Sequence, residues 1–269
     1  MKKEHSLVRF LGREKEVIDK IAAGIKDFTD VAVLGMSGGA DSTLVALLCR
    51  KALGTKNVFS LHMPYGDIDL NVFNSRSLKT AAHLGINAKI VSIKDSVDTV
   101  IKAGEHVLER PLDTLNAGNT RSRARMMLLY LTSHGLSSAT GNRVRVIGTG
   151  NLSEDFIGYD TKGGDALADI FPIGELFKSE VYHLLDYFKE QGEITDEMID
   201  RKPSAGLWDG QSDEEEIGYS YNEMQPAIES LLSGKSPATE LELFVFNRHK
   251  VNKHKHEAPP TVVLGLKRK

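Results

Sequence analysis

The densest chemistry in the sequence lies in Gly35-Met36-Ser37-Gly38-Gly39-Ala40-Asp41-Ser42. Its glycines let the backbone turn tightly and approach a ligand without a Cβ, and a helix starting there aims unpaired N–H groups and its positive dipole end at an anion. Ser37 and Ser42 add hydroxyl donors. Asp41 would repel a bare phosphate, but it suits a site where Mg2+ lies between a carboxylate and phosphate oxygens. Two rival readings stand beside this one. Asp41 could simply cap a helix after a glycine turn, or Gly35-Met36-Ser37-Gly38-Gly39 could be a G-x-S-x-G nucleophile elbow with Ser37 as a hydrolase nucleophile. The elbow leaves Asp41-Ser42 unexplained and has no H-G-G-G-like segment before it. The stretch also lacks the Lys-Ser/Thr pair of a Walker A loop and the G-x-G-x-x-G of a dinucleotide fingerprint.

Further candidates lie downstream. Arg121, Arg123 and Arg125 fall in one helical stretch, where Arg121 and Arg125 share a face and Arg123 points elsewhere; they form either a solvated charge face or a grip on a phosphorylated substrate. Gly148-Thr149-Gly150-Asn151 leads into Glu154 and Asp155, which places acids at a strand end. The cluster His249, His254, Lys255 and His256 has no Cys or carboxylate set at zinc spacing, so a cationic contact for an anionic ligand is expected there rather than a metal.

These groups need a scaffold. The chain has 269 residues, 41% hydrophobic and 26% charged, which suits a compact core of one large α/β domain or two small ones. Its net charge of −3 offers no global field for a polyanion, so nucleic acid is not expected as a partner. The N-terminus has no apolar targeting segment, no run approaches the ~18 apolar residues of a membrane span, and the single cysteine, Cys49, cannot close an intrachain disulfide; a cytoplasmic protein without membrane contact is expected. Cys49, among Leu44, Val45, Leu47 and Leu48, reads as buried and inert. Periodicity predicts helices at 4–28, 42–53, 72–84, 96–108 and 178–189, and strands at 31–36, 57–63, 87–93 and 144–149. A link at 116–119 is expected to precede the Arg-bearing helix, which runs to residue 132. Residues 150–174 read as a functional glycine-rich loop, Ser212 as the start of an acidic helix with a capping box to Glu215, and 247–269 as a basic tail. Repeated βα units imply a parallel sheet covered on both faces, with ligands at the strand carboxyl ends.

With these residues on the page, the sequence resembles the ammonia-dependent NAD+ synthetases, within the ATP pyrophosphatases that share an S-G-G-x-D-S loop. The ordered set carrying the resemblance is 37–42, Gly118-Asn119 with Arg123 and Arg125, Gly148-Thr149-Gly150 with Glu154, 161–165, Lys178, 202–205, 209–214 and His254-Lys255. The resemblance implies a Rossmann-like, doubly wound parallel α/β sheet of the adenine nucleotide alpha hydrolase type, in one domain spanning 1–269. It implies ATP contacts at Gly35, Met36, Ser37, Gly38, Gly39, Ala40, Asp41, Ser42, Thr149, Lys178 and Ser204, and Mg2+ at Asp41 and Glu154, with Asp41, Glu154 and Lys178 catalytic. Deamido-NAD+ would be met by Arg123, Lys162, Asp169, His254 and Lys255. Ser204 stands where the family pattern has Thr, and 164–169 lacks the usual paired glycines. The implied reaction amidates deamido-NAD+ with ammonia and ATP through an adenylate, in a homodimer, with a lid at 158–164; another adenylating ligase of the same superfamily is the alternative.

Overall fold

In the computed structural model the described residues are 7–66, 68, 75–199 and 213–264. The predicted Ser204, the motifs at 202–205 and 209–212, and the Ser212 cap lie outside them.

Four strands, β1 (Val31–Gly35), β2 (Val58–His62), β3 (Asn87–Ile90) and β4 (Val144–Val146), form one parallel sheet in the order β3-β2-β1-β4. Successive side chains on β1 point to opposite faces, and both faces are apolar. Ala32 and Leu34 enter a core built with α1 (Glu14–Phe28), α2 (Ala40–Leu53), α3 (Arg76–Leu84) and later α7 (Lys178–Glu190) and α8 (Asp196–Ile199). Val31 and Val33 pack with α4 (Lys94–Leu108) and α5 (Thr114–Thr140) on the other face. The sheet is therefore wound on both sides, as expected. Four residues of α2, Leu44, Val45, Leu47 and Leu48, are fully buried, each worth ~1.5–3 kcal/mol against exposure.

A third apolar cluster joins α6 (Leu152–Ile157), α9 (Asp213–Ile217), α10 (Tyr221–Leu232) and α11 (Glu240–Asn252) around Ile157, Phe177, Tyr221, Met224 and Val245. It brings the end of α11 against α6. Gly158, just past α6, has φ +65°, and a Cβ there would lie 2.1 Å from the Asn252 Cβ, so this approach requires glycine.

Several predicted boundaries move. Gly12, at φ +77°, breaks the pattern, and the first helix begins at Glu14 rather than residue 4. Residues 116–119 are not a link: the Asp113 carboxylate accepts from Asn116 N at 2.7 Å and starts α5 ahead of them, and Asn119 Oδ1 accepts from Thr161 Oγ1. Within 150–174 the Asn151 side chain caps α6. Residues 247–252 belong to α11, which opens with a Thr239–Glu242 capping box, so the tail is shorter than the charge pattern implies. The fourth strand is paired only over 144–146, followed by a single bridge between Ile147 and Ile170.

Candidate active site

The strand order reverses at β1, between β2 and β4, and a parallel sheet opens a crevice at the carboxyl ends of such strands. The loops after β1 and β4 meet there and line a cavity of about 310 Å³, near the lower bound of ~300–1,000 Å³ for small-molecule pockets. From the first loop Gly35, Met36, Ser37, Gly39, Ala40, Asp41 and Ser42 line it; from the second come Thr149, Glu154 and Asp155. Gly38 lies behind the wall with φ +78°, where a Cβ would stand 2.9 Å from Ser77 N. Ser37 Oγ accepts from Gly39 N at 3.2 Å and lies 3.1 Å from Ser42 Oγ. Thr43 Oγ1 donates to Gly39 O, which holds the loop at the start of α2.

Lys178, the first residue of α7, reaches into the crevice with its side chain only 6% exposed. Its Nζ lies 2.6 Å from Asp41 Oδ2 and 2.8 Å from Glu154 Oε1, so one ammonium joins acids from α2 and α6. Burial alone would lower the Lys178 pKa, but the two carboxylates reverse this and hold it above its ordinary value. Burial, reinforced by the neighbouring Asp41 charge and opposed by Lys178, pushes Glu154 up to about 8. Asn151 ties the group together: its Nδ2 donates to Asp41 Oδ1 at 2.9 Å, while its Oδ1 caps α6 by accepting from Ser153 N and Glu154 N. Two carboxylates converging on one cation form an all-oxygen donor set, which suits Mg2+.

The nucleophile-elbow reading does not fit this geometry. His62, on the neighbouring strand, directs Nδ1 to Ser77 Oγ at 2.6 Å and to Met36 O at 3.4 Å; the Ser37 contacts instead form part of a phosphate-sized loop.

The sequence profile of the NAD synthase family matches residues 15–259. The chain belongs to the NAD synthase family. It is 36% identical over 264 residues to an NH3-dependent NAD+ synthetase of Methanocaldococcus jannaschii, which covers 92% of this chain and 96% of that one. Among solved structures, an NMN synthetase from Francisella tularensis matches with a TM-score of 0.76 at 29% identity, over 93% of this chain and 98% of the other. An NH3-dependent NAD synthetase from Campylobacter jejuni, in complex with nitrate, matches with a TM-score of 0.71 at 29% identity, over 93% and 99%. Enzymes of the NAD synthase family are ligases that form a C–N bond with ATP as co-substrate.

The family's expected dinucleotide contacts assemble beside the cavity rather than within it. Arg123 Nε donates to Lys162 O at 3.1 Å, and Lys162 Nζ donates to His254 O at 2.7 Å. Lys255 Nζ donates to Gly158 O and Asp160 O. Asp169 is spent elsewhere: its carboxylate accepts from Val146 N at 2.8 Å and faces Tyr130 OH at 3.4 Å, pinning its segment to β4. Residues 158–164, the expected lid, lie closed against neighbouring segments in this structure. Thr161 Oγ1 donates to Asn119 Oδ1, and the Asp165 carboxylate accepts from Thr161 N and Ser122 Oγ.

Two residues named in the sequence analysis without a defined role in the site matter here. Arg125 lines the cavity, donates from Nε to Met63 O, and is buried deeply enough to lower its pKa; its face was predicted, its burial was not. Asn151 precedes Ser153 and Glu154 at N-cap spacing, a local signal that was readable.

Proposed function

We propose that this chain converts the nicotinate carboxylate of deamido-NAD+ into the amide with free ammonia, at the expense of ATP. A carboxylate oxygen attacks the α-phosphorus of ATP, and the bond to the β-phosphate oxygen breaks with loss of pyrophosphate. Ammonia then attacks the acyl carbon of the adenylate, a proton leaves nitrogen, and AMP departs. The loop at 35–39 and the start of α2 direct N–H groups and the Ser37 and Ser42 hydroxyls at the phosphates. Asp41 and Glu154 would hold Mg2+, which when bound neutralises phosphate charge. Lys178, kept protonated by both acids, adds a fixed positive charge and keeps the carboxylates in place. Arg123, Lys162, His254 and Lys255 orient the anionic dinucleotide, and the walls limit water that would hydrolyse the adenylate.

The chain is further proposed to act as a homodimer in the cytoplasm. In support, α4 and α5 expose Val100, Val107, Leu115, Met127 and Leu131, each more than half exposed, an apolar surface of the kind that marks association faces. Among the described residues no helix is long and apolar enough to cross a membrane.

The observation carrying this reading is the meeting of Asp41, Glu154 and Lys178 beneath the glycine loop. The test is pyrophosphate release from ATP with a panel of acids: deamido-NAD+, nicotinate mononucleotide, amino acids and a purine nucleotide. The mononucleotide belongs in the panel because the Francisella tularensis neighbour is an NMN synthetase. Release that depends on deamido-NAD+ is expected; release only with another acid would assign a different adenylating ligase.

A further inference from the structure

In the cavity wall, apart from the Asp41 and Glu154 pair, three side chains from separate segments converge, two of them, Asp155 and Asp160, lining the cavity. Asp155 comes from α6, Asp160 from the turn after it, and His256 from the segment beyond α11, with one ligand atom of each within 4.8 Å of the others. The Asp160 side chain is only 6% exposed, and neither carboxylate oxygen receives a hydrogen bond. His256 Nε2 stands 2.5 Å from Asp160 Oδ2 as an ion pair. The other nearby cation, Lys255 Nζ, is 3.5 Å from Oδ1 and directs its protons to the carbonyls of Gly158 and Asp160. Two carboxylates, Asp155 and Asp160, thus share a single imidazole, and a dication is a group that balances both charges at once.

We infer that Asp155, Asp160 and His256 form a binding site for one divalent transition cation of the Zn2+ class. Two carboxylates match its charge, and the imidazole selects it over Mg2+ and Ca2+, which prefer oxygen ligands. Three protein ligands leave a coordination position open. Because the ligands come from α6 and from the C-terminal segment, the cation cross-links them and fixes His254 and Lys255 beside the cavity. The tail histidines alone lack a carboxylate partner in sequence; the contact of Asn252 with Gly158 delivers them to two. The inference stands on this geometry and not on the identity of the acid substrate.

The test is calorimetric titration of the metal-stripped full chain with Zn2+ in excess Mg2+, alongside thermal unfolding with and without Zn2+. One Zn2+ per chain is expected at micromolar affinity, weakened at least ~10-fold by Asp160→Asn and by His256→Asn and retained in Glu154→Gln. Zn2+ should raise the unfolding midpoint of the wild-type chain but not of the first two variants. His256 is 28% exposed, so its replacement tests the site even if Asp160→Asn does not fold. On the wild-type chain, Zn2+ should also block modification of His256 by diethyl pyrocarbonate. Absence of stoichiometric binding, equal affinity in the His256 variant, or a stability loss in the variants that Zn2+ leaves unchanged would reduce the cluster to an ion pair and overturn the assignment.

Discussion

The crevice at β1 and β4 and the rim formed by Arg123, Lys162, His254 and Lys255 serve one proposed reaction but are built differently. In the crevice, charged side chains are buried and bonded to one another, and each sits at the first turn of a helix. On the rim Arg123 and Lys162 are exposed and Lys255 is partly buried, and these three donate to backbone carbonyls contributed by distant segments. Buried charges lose much when one partner is removed, whereas exposed ones are screened and adaptable. Under the proposed reaction, the crevice would carry transition-state chemistry and the rim ground-state recognition.

The largest effect should come from breaking the crevice. Lys178→Met leaves Asp41 and Glu154 facing each other without their shared cation, and is expected to abolish turnover and destabilise the chain by ~3–5 kcal/mol, read by turnover and denaturant unfolding. Asp41→Asn is milder, because Lys178 keeps Glu154: turnover should fall ~10²–10³-fold while the chain stays folded with a smaller stability loss than Lys178→Met. Near-normal adenylation by folded Asp41→Asn would remove the crevice from the chemistry.

Breaking the rim should change binding instead. Lys255→Ala is expected to raise the KM for deamido-NAD+ ~10-fold, the scale of one charge-assisted hydrogen bond, with the KM for ATP unchanged. Equal effects on both substrates would erase the division between the two regions. Gly158→Ala sharpens it by perturbing the rim from below: the positive φ and the Asn252 contact should cost ~1–3 kcal/mol, partly recovered by adding Asn252→Gly. The smallest effect is expected at Cys49, fully buried behind the loop, its thiol pushed up to about 12 by burial. Such a thiol is unsuited to releasing ammonia from glutamine, so Cys49→Ala should cost ~1 kcal/mol, keep ammonia-dependent turnover, and gain or lose nothing with glutamine.

The two regions also differ in how far the sequence revealed them. The glycine loop, its strand and its helix are contiguous, so periodicity and turn chemistry expose both structure and chemistry. The doubly wound sheet followed from repeated βα units for the same reason. Asn151 was hidden only by reading 150–174 as loop, since it stands at N-cap spacing from Glu154. Burial of Arg125 and the use of Asp169 by β4 depend on pairings across the fold that no local pattern encodes. The same holds for Asp160 and His256, which become neighbours only once α11 packs on Gly158. Gly118 and Asn119 misled in the opposite direction, as breakers by type that lie inside a helix where Asn119 accepts from Thr161.

The most direct test of the central claim follows oxygen. Deamido-NAD+ labelled with 18O in its nicotinate carboxylate, turned over with ATP and ammonia, should deliver one labelled oxygen to the phosphate of AMP and none to pyrophosphate. Label in pyrophosphate or inorganic phosphate, or unlabelled AMP formed alongside NAD+, would contradict attack of the carboxylate on the α-phosphorus.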